Sequence, residues 1–288
     1  MVRSDGYSFG KIVYHAFNRG RTKPLSPESK WNNQTTVVLC LFIAPLILFY
    51  PRFFEWVGVD FFLSDLEIGL RWLALVIIQF TFIGITISLY DYEYVTLGTM
   101  IHRPVELVVI LGIFLMGEIH WQAFVFMFAG VPVPAGVCFY LWKRDTQISN
   151  FTEYWQALAH PQKTRSVLGK WLEKIGWIIL GVGALTLFQP GWLLGLLDIS
   201  QEPLVMGYFR VVGWAYIILG WCYFMNARHE HEFFFDVVLL QNFVGLLCSV
   251  FLWTLGWFSK PLLLLLLLGH AVVLLSTIFF AWLETRQA

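Results

Sequence analysis

The sequence predicts an all-α polytopic membrane protein with eight transmembrane helices, arranged as two tandem four-helix repeats in parallel orientation. Apolar residues make up 58% of the chain and charged residues 13%, whereas soluble domains carry about 25% charged residues. Apolar stretches of about 15 to 23 residues recur along the chain, and this length suits membrane helices. The formal net charge is zero, so no basic field suggests a nucleic-acid partner.

One phrase occurs twice and indicates an internal duplication. Leu46-Ile47-Leu48-Phe49-Tyr50-Pro51 returns as Leu185-Thr186-Leu187-Phe188-Gln189-Pro190, about 139 positions later. Self-similarity at a fixed spacing is typical of a repeat architecture. Further pairs keep a spacing of about 136 to 140: Trp31 with Trp171, Arg71 with Arg210, Gly130 with Gly269, and Trp142 with Trp282. We therefore predict two homologous halves, a first four-helix membrane repeat at 1–146 and a second at 147–288.

Apolar runs and their proline boundaries predict the positions of the spans. The first half has a polar N-terminal segment, which we expect on the cytoplasmic side, and spans at about 35–50, 69–90, 104–118 and 121–142. The second half has a surface helix within 147–170 and spans at about 172–189, 205–227, 236–256 and 261–283. Four spans per half is an even number, so both halves enter the membrane from one side and the repeats are parallel.

Positive charge predicts the orientation. Most Lys and Arg residues fall in the tails and in the loops on the same side as the tails, and such loops face the cytoplasm. We expect a multi-pass protein of the plasma (inner) membrane with both termini cytoplasmic. Its expected partners are membrane lipids and other membrane protein subunits.

The middle of the last span in each half is the candidate ligand site. Span four contains Gly130, Pro132 and Pro134, and span eight contains Gly269 and His270. Proline removes backbone donors from a helix, and an ionisable residue at this depth is a functional hypothesis. Two interpretations stay open, a binding site for an apolar molecule and a simple helix kink with close packing.

A second group is predicted to be structural. Arg71 and Arg210 lie just inside the outer ends of their helices, and Glu67 lies four residues before Arg71. Residues four apart share a helix face. We therefore expect these charges to bridge helix ends rather than to bind a substrate.

The loop 228–236 contains His229, His231 and Asp236, residue types that bind divalent metals. Histidines two apart point about 200° apart on a helix, so a solvated polar loop is favoured and no metal is predicted. No cofactor motif is present, and neither a Walker loop nor a nucleophile elbow occurs.

Each half has a helix that ends at proline, Pro51 or Pro190. A Gly-x-Arg or Gly-x-x-Arg start to the next helix follows, at Arg71 or Arg210, and then two further apolar helices. This pattern resembles the small four-helix bacterial membrane proteins called DoxX-like, here as a tandem duplication. The resemblance implies a four-helix unit and transfers no site residues.

Three functions follow from these observations. The leading hypothesis is a non-catalytic membrane scaffold or accessory subunit that packs against lipids or other membrane proteins. The alternative is a carrier or binder of an apolar molecule, a lipid or quinone, at the midplane. The second alternative is a membrane enzyme that uses the 228–236 loop. A filled midplane favours the first function, an apolar cavity the second, and convergence of the loop histidines the third.

Overall fold

We describe the protein from a computed structural model, over residues 27–38, 42–57, 64–88, 93–130, 132–144, 156, 166–228 and 234–287. All regular elements in these ranges are helical. Up to residue 144 they are α1 (Pro27–Val38), α2 (Ala44–Phe49), a 3₁₀ helix (Pro51–Val57), α3 (Ser64–Ser88), α4 (Glu93–Leu115), α5 (Trp121–Gly130) and α6 (Pro132–Arg144). From residue 166 they are α7 (Val167–Phe188), α8 (Pro190–Leu197), α9 (Pro203–Arg228), α10 (Phe234–Thr254) and α11 (Lys260–Gln287).

Among the described residues, five segments are long and apolar enough to cross a membrane: Asp65–Gly84, Val167–Phe188, Pro203–Arg228, Phe234–Thr254 and Lys260–Glu284. The 21 residues of α10 extend about 32 Å at 1.5 Å per residue, close to the thickness of a hydrocarbon core. Large apolar side chains such as Trp177, Phe188 and Leu268 are exposed, as lipid-facing positions require. The prediction of an all-helical protein is confirmed for the described residues, and the five apolar segments indicate a membrane-embedded protein.

One helix before residue 144 differs from the predicted boundaries. Within the expected span at 35–50, the structure describes α1 up to Val38 and α2 from Ala44, and residues 39–41 lie outside the described residues. Pro45 lies in the first turn of α2, where its missing N–H removes no helical bond. Within the expected span at 121–142, it describes α5 up to Gly130 and α6 from Pro132, and residue 131 lies outside the described residues.

The difference places charged residues inside a helix. We predicted a span that starts at Pro104, but α4 begins at Glu93 and continues through this proline. Membrane helices tolerate an internal proline because neighbouring groups can satisfy the freed carbonyl. Arg103 and Glu106 therefore lie in the middle of α4 rather than at a loop boundary.

Glycine brings the backbones of α7 and α9 into contact. A Cβ atom on Gly183 would lie 2.7 Å from the Ile217 nitrogen, and one on Gly213 would lie 2.5 Å from the Leu187 nitrogen. Gly176 and Gly220 are equally close to the facing helix. Small residues of this kind let membrane helices pack closely, since apolar side chains gain little by leaving lipid.

Two turns have the same backbone geometry. Gly117 follows α4 with φ 72°, and Gly256 follows α10 with φ 73°. The residues that end α2 and α7 are also alike: Tyr50 has φ −137° and ψ 64°, and Gln189 has φ −133° and ψ 59°. The two residues of each pair are separated by the same number of positions as the two copies of the repeated phrase. We call this separation the repeat spacing.

Helices α3 and α9 pack against each other at the centre of the described bundle. The Trp72 indole Nε1 donates to the Tyr216 hydroxyl at 3.0 Å, and the Trp72 ring meets Phe209 edge-on. On one side of this pair, α11 packs on α10 and α7; on the other, α6 packs on α1, α4 and α5. This arrangement creates two separate interior regions, one on each side.

Candidate functional site

Arg71 and Arg210 each bond the end of an earlier helix. Arg71 Nε donates to the Leu48 carbonyl of α2 at 3.2 Å, and Arg210 Nη1 donates to the Leu187 carbonyl of α7. Carbonyls in the last turn of a helix have no intrahelical partner, and hydrocarbon supplies none. Each guanidinium therefore satisfies a backbone carbonyl, and the two carbonyls are separated by the repeat spacing, as the two arginines are.

Each of these arginines also has a carboxylate partner. Glu67 Oε2 lies 3.1 Å from Arg71 Nη2, and Glu118 Oε2 lies 2.6 Å from Arg210 Nε. Glu67 also accepts from Arg52 Nε at 2.6 Å. That hydrogen bond, together with the negative charge of Glu67, raises the pKa of Arg52. The contacts suit a role in joining helix ends.

The two arginines make reciprocal contacts across the bundle. Arg71 lies over the Trp257 ring, 4.2 Å from its centroid, whereas Arg210 pairs with Glu118. Trp257 follows Gly256 in its turn as Glu118 follows Gly117. Each arginine therefore reaches the equivalent turn on the opposite side of the α3–α9 pair.

Five buried polar side chains, hereafter the His270 cluster, connect α3, α9, α10 and α11: Gln79, Tyr223, Gln241, Asn242 and His270. His270 lies near the middle of α11, and its ring nitrogens contact Gln79 at 3.0 Å and Asn242 at 3.1 Å. Tyr223 links Asn242 to Gln241. Buried polar groups require such partners, because an unpaired one is costly in apolar surroundings.

The hydrogen bonds of the His270 cluster run in one direction. Asn242 Nδ2 donates to the Val238 carbonyl and to the Tyr223 hydroxyl, so its Oδ1 accepts from His270 Nδ1. His270 Nε2 then accepts from the Gln79 amide, which makes the ring a neutral imidazole. Both ring nitrogens are used, and the cluster is a satisfied network of the kind that rigidifies a core.

Gly245 makes room for the imidazole. A Cβ atom at Gly245 would lie 2.5 Å from His270 Cε1 and 2.6 Å from His270 Nε2. The ring therefore fills the space above Gly245 on α10. This part of the interior is closed by side chains that bond one another.

A cavity of about 450 Å³ lies on the other side of the α3–α9 pair, between α1, α2, the 3₁₀ helix, α3, α4, α5, α6 and α9. We call it the Arg103 cavity. Its lining is mainly aliphatic and aromatic and includes Leu70, Ile110, Ile113, Met127, Gly130, Trp214 and Ile218. This volume is in the range of small-molecule sites in proteins.

An ion pair lines this apolar cavity. Arg103 Nη1 donates to Glu106 Oε2 at 2.7 Å, and the two side chains are 16% and 15% exposed. A desolvated charge pair is weak evidence for stability, since the desolvation penalty offsets much of the attraction. Ionisable residues inside a membrane helix more often mark a functional pathway or site.

The His270 cluster and the Arg103 cavity occupy positions related by the repeat spacing. Asn242 follows Arg103 by that spacing, and Gly245 follows Glu106. The space that the imidazole fills above Gly245 therefore corresponds to the wall of the Arg103 cavity at Glu106. The His270 ring fills the space at Gly245, whereas Glu106 lines an open cavity.

The structure separates the residues that we predicted as one ligand site. Gly130 lines the Arg103 cavity, and the exposed Pro132 and then Pro134 begin α6 immediately after it. His270 belongs to the buried cluster, and Gly269 beside it is exposed in a continuous α11. Gly130 is thus the predicted residue that contacts the cavity, whereas His270 lies in the filled region.

The predicted polar loop contributes little to the described structure. His229 and His231 lie outside the described residues, and Asp236 is buried in the first turn of α10. The described ranges contain no group of three or more His, Cys, Asp or Glu side chains placed to hold a metal ion.

Sequence reasoning missed Arg103, Glu106 and Trp214. Arg103 was assigned to a loop because Pro104 was taken as a helix start. Two features of the sequence favour a position inside a helix. Arginine and glutamate three apart share a helix face, and the repeat spacing relates Arg103 and Glu106 to Asn242 and Gly245 on α10. Trp214 carries no sequence signal, since tryptophan is frequent throughout this chain.

Comparison of the chain with protein-family models, with curated proteins and with solved structures gave no match.

Proposed function

We propose that this protein binds an apolar molecule, such as a lipid or quinone, within the membrane at the Arg103 cavity. The observation that carries the proposal is an apolar cavity of about 450 Å³ with a desolvated Arg103–Glu106 pair in its wall. An empty cavity of this size forfeits packing contacts, and an apolar occupant would restore them.

The proposal includes a topology. We place the chain in the plasma (inner) membrane as eight spans in two parallel four-helix repeats, 1–146 and 147–288, with both termini cytoplasmic. The like geometry at Gly117 and Gly256 and at Tyr50 and Gln189 supports the repeat. In this arrangement α1 with α2, and α5 with α6, each take the place of one span.

A matched pair of glycines tests the binding site. Gly130 lines the cavity, and Gly269 occupies the position one repeat spacing later; a Cβ atom at either meets nothing within 4 Å. Gly130→Leu is expected to narrow the cavity without a clash, and Gly269→Leu is expected to add only a side chain facing outward.

The experiment is purification of the full chain in mild detergent, followed by extraction and mass spectrometry of the apolar molecules that remain bound. We expect a defined molecule with the unaltered protein and with Gly269→Leu, and a loss of about tenfold or more with Gly130→Leu, as for about 1.4 kcal/mol of binding. Equal retention by all three proteins, or retention of bulk lipid alone, contradicts the proposal.

A membrane scaffold or accessory subunit is the second candidate, and the His270 cluster favours it. The cluster closes one side of the bundle with satisfied hydrogen bonds and connects α3 to α10 and α11. Such a rigid, filled region suits a subunit that packs against other membrane proteins. Identification of co-purifying proteins in the same preparation tests this role, and a preparation without any stoichiometric partner argues against it.

A further inference from the structure

Two residues that line the Arg103 cavity each have a buried hydrogen-bond donor without a partner among the described residues, Arg103 Nε and Trp214 Nε1. Arg103 lies on α4, and Trp214 lies on the neighbouring helix α9 and is 8% exposed. Buried donors in native proteins are nearly always paired, and in hydrocarbon they have no water to bond. Two such donors in one cavity indicate that its occupant carries a hydrogen-bond acceptor.

The charge balance of the cavity indicates which acceptor. Glu106 Oε2 already lies 2.7 Å from Arg103 Nη1, so the positive charge of the guanidinium is compensated. A ligand carboxylate or phosphate near Arg103 would also lie near the Glu106 carboxylate, and repulsion between like charges is strong where water is excluded. An uncharged oxygen escapes this penalty and remains able to accept hydrogen bonds.

We propose that the Arg103 cavity selects an uncharged amphiphile whose carbonyl oxygen accepts hydrogen bonds from Arg103 and Trp214. The apolar part of the ligand then packs against Ile110, Ile113 and Ile218. Ester lipids and quinones share this chemistry. The inference rests on the proposed ligand-binding function and adds the class of ligand to it.

Three probes of similar chain length distinguish an uncharged carbonyl, a carboxylate and a plain hydrocarbon: methyl laurate, laurate and dodecane. Each probe is equilibrated with the full chain in nanodiscs, and the bound amount is quantified after separation. The carbonyl adds two hydrogen bonds, so methyl laurate is expected to be retained about tenfold more than dodecane. Laurate, as the anion, is expected to be retained no better than dodecane. A fourth probe, a decyl-substituted benzoquinone, distinguishes a quinone from an ester lipid by its retention relative to methyl laurate.

Variants connect the preference to the two donors. Replacing the ion pair together, Arg103→Met with Glu106→Met, leaves no unpaired charge to unfold the chain, and Trp214→Phe removes only the indole N–H. Each is expected to reduce the preference for methyl laurate over dodecane by about threefold or more. The matched controls are Arg228→Met with Glu173→Met, an ion pair at 2.8 Å outside the cavity lining, and the exposed Trp177→Phe.

The possible outcomes test the proposed ligand class separately from the proposed binding function. Laurate retained as well as methyl laurate, or an unchanged preference in both cavity variants, overturns the ligand class and leaves the binding function standing. Failure of the unaltered protein to retain any probe, together with indifference to Gly130→Leu, overturns the binding function itself. An unchanged preference in the two control variants supports the assignment to Arg103 and Trp214.

Discussion

Arg210 and Glu118 form an enclosed ion pair at the helix ends. Their side chains are 16% and 9% exposed, whereas Arg52 in its pair with Glu67 is 55% exposed. Exposed ion pairs contribute little, because water screens both charges. A buried pair behaves differently, since loss of one partner leaves the other charge without compensation.

Replacing Arg210 tests this difference. Arg210→Ala leaves the Glu118 carboxylate and the Leu187 carbonyl unpaired, so we expect a loss of about 3–5 kcal/mol in unfolding free energy. Arg52→Ala, the control, is expected to leave the unfolding free energy nearly unchanged, because water screens this exposed charge. Thermal unfolding in detergent measures both. Similar shifts for the two variants would show that Arg210 has no special structural role.

His270 provides a second residue-level test. His270→Leu keeps the volume but leaves the Gln79 and Asn242 amides without the ring, at a cost of about 1–3 kcal/mol per unsatisfied group. In the double variant Gln79→Leu with His270→Leu, one of these penalties disappears, so we expect a coupling of about 0.5–3 kcal/mol. Additive losses would contradict the hydrogen bond between Gln79 and His270.

At the level of elements, the contact between α7 and α9 depends on the absence of side chains. Gly183 and Gly213 face each other, and the carbonyl of each lies 2.8 Å from where the other's Cβ atom would be. Ala44 in α2 and Ala74 in α3 precede these two glycines by the repeat spacing and are fully buried. The corresponding positions before residue 144 are therefore also occupied by small, buried residues.

Two glycines on α7 test this interface. A side chain at Gly183 meets the backbone of α9, whereas one at Gly181 meets nothing within 4 Å. Gly183→Val is expected to lower the unfolding free energy by about 1–3 kcal/mol or more through overpacking, and Gly181→Val is expected to leave it nearly unchanged. Thermal unfolding of the purified variants compares them, and equal stability would mean that the helices separate easily.

At the level of the whole molecule, the two sides of the α3–α9 pair share turns and arginine contacts but differ in their interior. One side contains the satisfied His270 cluster and a continuous α11. The other contains the Arg103 cavity, which α5 and α6 line. Under the proposed duplication, one unit would retain the ligand and the other would provide rigid support.

Cysteine labelling tests the proposed topology. Met116 and Leu255 are exposed in turns related by the repeat spacing, and Arg286 is exposed near the end of α11. Starting from a variant without the four native cysteines, we expect Met116→Cys and Leu255→Cys to react with an impermeant maleimide outside intact cells. Arg286→Cys is expected to react only after the membrane is opened. Labelling of Met116→Cys and Leu255→Cys from opposite sides would exclude parallel repeats.

Local sequence features determined the class of this protein. Long apolar runs between few charges predict membrane helices, because each backbone group must be satisfied within its own helix in lipid. The repeated phrase at Pro51 and Pro190 predicted where α2 and α7 end, since proline ends a helix through its own ring and missing N–H. These effects operate over a few residues, and the sequence displays them directly.

Only the tertiary structure decided what surrounds the polar residues. His270 and Gln79 are far apart in the chain, and the packing of α3 on α9, α10 and α11 brings them within 3.0 Å. The same packing leaves Arg103 and Trp214 around a cavity instead of a filled core. Whether a buried position is filled or open depends on the side chains that converge on it from several helices. Periodicity and spacing along one helix therefore predicted neither the cluster nor the cavity.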